Sequence, residues 1–440
     1  MFIKIKSLRS TWKKAIIIFL IIQISPLLVL WISPIRPIVD NSAEYFLGYL
    51  LYLSSVVVGF VITFGLLYDR LKNRVNENIV NKSFNRAKLK FNSNIIFGFS
   101  TLGLLLMIYD RVFVRGIDYS LGLRNARYQW LYSEISSSIW SKIGNLLIPF
   151  GYIGLWFLLV HKNNLSNKQK IQLSIAAFST IIGHAAINGG RSQVLLGGVL
   201  WLSIKIVLIF KHNFNLERSK KIIRKYLPIS IGIGFVTILT IEGISESMGI
   251  KEYVTDFAPT LLGTVESELM DMWDYFGNVG YVFIFFVMYL FHGQFSFRYL
   301  LSISEKSGSA FWGTLLNPII EIFKYLNLPI NSIPKDYFTT QYAMFLSLPG
   351  SFYYDGGFVG IILYSLLLGM LYAFVVVKIK FANCVTGYTL AFIFFVLFYI
   401  ILAPIMTATG FAYFYFIIYS FVALEVINRI RFRKKTNWLI

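Results

Sequence analysis

Nine or ten apolar runs, each long enough to cross a hydrocarbon layer, dominate this 440-residue chain. A backbone in lipid has to satisfy its own hydrogen bonds, so such runs fold as helices, and the expected class is an all-α polytopic integral membrane protein. Composition agrees: 56% of residues are hydrophobic and only 14% charged, too few charges to cover water-facing domains. A soluble enzyme, a nucleic-acid-binding protein and a disordered scaffold are thereby excluded. The single cysteine, Cys384, leaves no internal disulfide framework and no cysteine-built metal site.

The first span, Ala15 to Ser33, follows five basic residues and lacks a small-x-small cleavage site, so it reads as a retained helix with its basic flank in the cytoplasm. Further spans are expected at 43–68, 93–109, 141–160, 171–188, 193–210, 227–243, 357–377, 386–404 and 408–427, about ten in all. Alternating them from a cytoplasmic start puts 29 of the 41 Lys and Arg inside, against only 4 of the 21 acids. Positive charge resists translocation, so the imbalance predicts an N-in, C-in orientation.

Three regions follow. Residues 1–243 form an N-terminal bundle of seven spans with an arginine-rich outer loop at 110–140. Residues 244–356 form a large outer loop with short helices, and 357–440 a C-terminal bundle of three spans with a basic tail. The apolar stretch Val279 to Phe291 is about thirteen residues, short for a span, and is expected to be a re-entrant or interfacial helix. Its alternative is pairing with a second weak span near 309–326.

Seven of the twelve outer basic residues are arginines: Arg36, Arg111, Arg115, Arg124, Arg127, Arg191 and Arg298. Four crowd into DRVFVRGIDYSLGLRNAR at 110–127. A guanidinium offers a fork of donors that fits phosphate oxygens, where lysine offers a hydrated point charge. The cluster's partner is either an anionic group at the membrane surface, such as the diphosphate of a lipid-linked sugar, or a local carboxylate among Asp110, Asp118 and Glu134.

The fifth span ends in HAAINGGRSQ, where His184, Asn188 and Arg191 share one helical face if the helix persists through the paired glycines. A charge near membrane depth normally faces a cavity or partner; the alternative for Arg191 is to snorkel outward. His184 is either hydrogen-bonded to a neighbouring helix or acts on substrate. At the outer end of the eighth span, Tyr354 can stack on a sugar ring, and Asp355 serves as a base, orients an arginine or caps the helix. His292, in FHGQF, and Arg298 lie in the large outer loop. The acidic positions Glu266, Glu268, Asp271 and Asp274 read as a solvated helix face, and Lys205 as a snorkeller towards the cytoplasm. Walker A, GxSxG, HExxH and GxGxxG motifs are absent, and Pro34 to Asn41 has no Asp-x-Asp pair to hold a divalent metal with a lipid phosphate. No cofactor or metal is expected.

With the DR…RG…R loop at 110–127, GGRSQ at 189–193, the long outer loop and TTQY…YYDGGFVG at 339–360, the chain resembles the Wzy family of O-antigen and capsule repeat-unit polymerases. The resemblance implies a glycosyltransferase with a GT-C-like core in the bacterial inner membrane. It would move a growing glycan from undecaprenyl diphosphate onto a lipid-linked repeat unit at the periplasmic face, without metal. Implied partners are the undecaprenyl-diphosphate-linked oligosaccharide and membrane lipid, with a chain-length regulator and a flippase nearby. Arg191 and the 111–127 arginines, with Arg298, would bind diphosphate and stabilise the leaving group, with Asp355, His184 or His292 helping to deprotonate the acceptor. The alternatives are an O-antigen ligase and a lipid-linked oligosaccharide flippase or exporter; the latter usually shows two related halves, which this sequence lacks.

Overall fold

The computed structural model describes residues 2–74, 86–120, 126, 129, 138–188, 192–211, 250–259, 263–302, 346–381, 387–405 and 412–433. Their helices are α1 (Phe2–Ile32), α2 (Ser42–Arg74), α3 (Arg86–Tyr109), α4 (Ile139–Leu147), α5 (Phe150–Val160), α6 (Asn167–Asn188), α7 (Ser192–Lys211), α8 (Ile250–Phe257), α9 (Ser267–Asp274), α10 (Gly277–Ser302), α11 (Leu348–Phe381), α12 (Gly387–Leu402) and α13 (Ala412–Arg433). Two three-residue strands, β1 (Ile35–Pro37) and β2 (Gly263–Val265), complete them. Eight helical segments among the described residues are long and apolar enough to cross a membrane, and α12 is a shorter apolar helix. This is a multi-pass α-helical membrane protein. The expected span at 227–243 lies outside the described residues.

The chain divides into two interleaved units: 1–76, 213–381 and 396–412 in one, and 77–212, 382–395 and 413–440 in the other. In the first, α2 and α11 pack backbone to backbone. A Cβ on Gly59 would fall 2.2 Å from Leu366 O, and one on Gly369 2.1 Å from Val56 O. Small residues let membrane helices approach this closely, where apolar burial gives no net drive because lipid is equally apolar. Phe19, Tyr52, Phe60 and Tyr372 close over this contact, and the Tyr372 hydroxyl donates to Ala15 O at 3.1 Å.

The segment after α1 pairs with a partner more than two hundred residues away. β1 and β2 run antiparallel, Ile35 opposite Val265 and Pro37 opposite Gly263, and Arg36 Nε meets Glu266 Oε2 at 2.9 Å. The pair, α8 and α9 bury Ile35, Val254, Ala258 and Met270 against Tyr281, Ile284, Phe285 and Met288 of α10.

α10 changes one expectation. Its apolar stretch is thirteen residues, but the helix runs 26, through His292, Gln294 and Arg298. At about 1.5 Å per residue it extends roughly 39 Å. The helix accommodates Gln294 because its amide is satisfied: it donates from Nε2 to Pro404 O and accepts the Tyr45 hydroxyl at 2.9 Å. Gly293 is required there, since a Cβ would lie 2.6 Å from Ile405 O and 2.9 Å from Ser347 N.

In the second unit α3 packs on α4, α5 and α6. Gly103 admits the Ile148 backbone, where α4 gives way to α5 at Pro149 inside the expected span 141–160. Gly151 similarly admits Thr180 and the Ala176 carbonyl of α6. Trp156 meets Phe421 of α13, with ring centroids 5.8 Å apart. Lys205 is buried, and its Nζ sits 5.3 Å from the Trp201 ring.

Candidate functional site

α3 does not end as an α-helix. Asp110–Val114 forms a π-turn, closed by Arg115 N donating to Asp110 O at 2.9 Å, and Gly116 then takes φ +63° to break the helix. A π-turn stacks residue i+5, not i+4, over residue i. Arg115 therefore lies over Asp110, with Nε 3.0 Å from Oδ2, both side chains almost wholly buried. The Ser138 hydroxyl, at the N-cap of α4, donates to the other carboxylate oxygen.

The same turn directs Arg111 towards the end of α6. Arg111 is 2% exposed, and its Nη2 donates to Asn188 Oδ1 at 3.3 Å. One turn back along α6, His184 is also buried, its ring centroid 4.4 Å from that of Tyr413. The shared face expected for His184 and Asn188 is therefore present, and both lie inward. His184 is not hydrogen-bonded to a neighbouring helix: neither ring nitrogen has a hydrogen-bond partner among the described residues. Tyr119 closes the cluster, donating from its hydroxyl to Ile187 O at 2.7 Å. Burial raises the pKa of that hydroxyl while Arg111 pulls it the other way. At Asp118, side-chain and backbone hydrogen bonds from Ser120 lower the carboxyl pKa.

Among the described residues, Asp110, Arg111, Arg115, Asn188 and His184 thus gather two guanidiniums and one carboxylate into a buried cluster. Arg115 takes the local-carboxylate partner that the sequence left open. Arg124, Arg127 and Arg191 lie outside the described residues.

The remaining residues singled out in the sequence belong to the other unit. Arg298, on α10, stacks its guanidinium 4.4 Å from the Tyr45 ring and donates to Ser42 Oγ at 3.3 Å, while its carbonyl accepts from Asn41 Nδ2. Beside it, Phe297 contacts Tyr353 of α11 at 6.1 Å between centroids. His292 is buried four residues before Ser296, whose hydroxyl donates to its carbonyl.

α11 consists of two helical stretches that meet at Gly356 and Gly357, neither of which has helical φ/ψ, so Tyr354 and Asp355 end the first stretch directly before the expected span; Asp355 is fully buried and Tyr354 8% exposed. The helix kinks immediately afterwards at Gly356 and Gly357, the latter at φ +63°, a conformation open to glycine. Tyr364 lies within electrostatic reach of Asp355.

Ser138, Tyr119, Gln294 and Tyr45 were missed by sequence reasoning. Each is an ordinary polar residue whose role comes from a partner distant along the chain. Among the described residues, no three His, Cys, Asp or Glu side chains converge as metal ligands do. The chain matches no family model, no curated protein and no solved structure.

Proposed function

We propose that this chain is a repeat-unit polymerase of surface polysaccharide: an inner-membrane glycosyltransferase that works on undecaprenyl-diphosphate-linked oligosaccharides at the periplasmic face, with the N-in, C-in topology read from its charges. The observation that carries this reading is the buried cluster at the ends of α3 and α6. Among the described residues it brings two guanidiniums and one carboxylate together beside an imidazole whose nitrogens have no hydrogen-bond partner there. Buried polar groups are nearly always satisfied, so such a place suits an anionic, hydrogen-bonding headgroup.

In the reaction, the acceptor hydroxyl oxygen bonds to the anomeric carbon of the growing glycan. The bond from that carbon to the diphosphate oxygen breaks, and its electron pair leaves on undecaprenyl diphosphate. Arg111 stabilises the charge that develops there, because a fixed guanidinium in a dry site acts without reorganising. Asp110 and Ser138 hold the π-turn that aims it. The hydroxyl proton passes to a base, for which His184 stands in the same unit as Arg111. His292 and Asp355, as alternative bases, and Arg298 and Tyr354, for diphosphate or glycan, keep the roles their sequence positions suggest. Arg124, Arg127 and Arg191 keep the diphosphate role their sequence positions suggest.

Deleting the gene in its host tests the reading. Surface polysaccharide reduced to one repeat unit per lipid core is the expected result. Complete loss of the polysaccharide would point instead to a flippase or ligase.

A further inference from the structure

At the basic end of the second unit, α3 and α13 enclose a cleft of about 480 Å³ lined by Lys88, Asn428, Arg429 and Phe432. We propose that this cleft binds the phosphate of an anionic glycerophospholipid headgroup, a site separate from the Arg111 cluster and independent of the polymerase reading.

Among the described residues, one buried carboxylate fixes the cations in place. Glu425, 5% exposed, accepts from Gly387 N at 3.1 Å and Arg429 Nε at 3.3 Å, and lies 3.7 Å from Lys88 Nζ. One carboxylate thus positions two cations, and a third, Arg431, stands over the Phe91 ring at 4.2 Å. Arg429 also lies over Tyr388, at 4.8 Å. Aromatic faces hold a guanidinium without neutralising it, which leaves its donors available to a second anion.

The second, independent observation is Asn428. It is 3% exposed, lines the cleft, and its Oδ1 is buried with no hydrogen-bond partner. A buried amide acceptor calls for a donor. A phosphodiester headgroup bearing a hydroxyl or ammonium supplies both halves of the match: phosphate oxygens for Lys88 and Arg429, and a donor for Asn428. Phe432, with Phe91 at 5.9 Å between ring centroids, gives the glycerol and upper acyl carbons an apolar wall. Basic pockets between membrane helices are where such headgroups bind.

The test is native mass spectrometry of the full chain in non-ionic detergent, titrated with phosphatidylglycerol or phosphatidylcholine. The wild type should retain phosphatidylglycerol preferentially, and a Lys88→Gln/Arg429→Gln variant should retain at least fivefold less. A Lys168→Gln/Lys170→Gln variant removes the same charge elsewhere in the unit and should retain it as the wild type does. Asn428→Leu keeps every charge and fills the cleft, and should also weaken retention. Equal loss in both double variants would reduce the effect to general electrostatics and overturn the site, as would undiminished binding by Asn428→Leu. Monodisperse elution and an unchanged Tm separate these losses from misfolding. Inorganic phosphate supplies a last arm: protection of Lys88 from acetylation by phosphate alone, with no lipid retained, would keep the phosphate chemistry and assign it to a soluble source. Lys88 acetylated alike with and without phosphate, and no lipid retained, would overturn it.

Discussion

Arg115 and Asp110 form a buried ion pair, Nε to Oδ2 at 3.0 Å, bridging a single π-turn at the end of α3. The pair commits one arginine of the 110–127 cluster to a structural partner and makes the turn that presents the next. Arg111, whose Nη2 donates to the Asn188 amide, is the arginine in the described part of the cluster to which the proposed mechanism gives the diphosphate.

Arg111→Lys should shorten the surface polymer sharply, because lysine keeps the charge but loses the fork. A charge-assisted hydrogen bond is worth about 1.5–3 kcal/mol, so turnover should fall roughly ten- to a hundredfold. Gel electrophoresis of polysaccharide from a complemented deletion strain reads this out, with protein level checked by immunoblot. Wild-type polymer length would remove Arg111 from the mechanism.

Asp110→Asn should act chiefly on stability. It leaves the buried Arg115 guanidinium without its counter-charge, a loss of about 3–5 kcal/mol for a buried pair broken on one side. Thermal unfolding in detergent measures it. Asp110→Asn/Arg115→Gln should regain part of the loss, since the orphaned charge is then gone. A double variant worse than the sum of the two single changes would contradict the pairing.

Gly59→Leu and Gly369→Leu should each destabilise the α2–α11 contact. Each glycine lies against the other helix's backbone, at 2.2 and 2.1 Å for a built Cβ, and overpacking costs about 1–3 kcal/mol or more. Gly65→Leu, on α2 with open space around its Cβ position, is the control and should leave the Tm unchanged.

The orientation is testable at Tyr275, which is 90% exposed between α9 and α10. In a Cys384→Ser background, Tyr275→Cys should react with a membrane-impermeant maleimide added to intact spheroplasts. Reaction only after lysis would reverse the topology.

How much of this was legible beforehand depended on the range of the interaction involved. Nine of the ten expected spans fall on described helices, because apolar runs in lipid have no other fold. The His184–Asn188 face was legible because helical spacing alone sets it. Hydropathy failed where a helix continues through a polar residue that finds partners, as α10 does at Gln294. The β1–β2 pair joins segments far apart in sequence, and nothing local announces it. The π-turn has no residue signature, so the choice between phosphate and Asp110 for Arg115 needed coordinates. Tyr354 and Asp355 do directly precede the expected span, since the helix breaks at Gly356 and Gly357, but their burial comes with the helical stretch from Leu348 that hydropathy did not mark.

The central claim is that the chain joins lipid-linked repeat units. The direct measurement takes the lipid-linked units that accumulate in the deletion strain and incubates them with the purified protein in vesicles. A ladder of products spaced by one repeat mass, with release of undecaprenyl diphosphate and strong attenuation by Arg111→Lys, is the predicted result. Units that keep their mass while crossing the vesicle membrane would contradict it and make the protein a transporter.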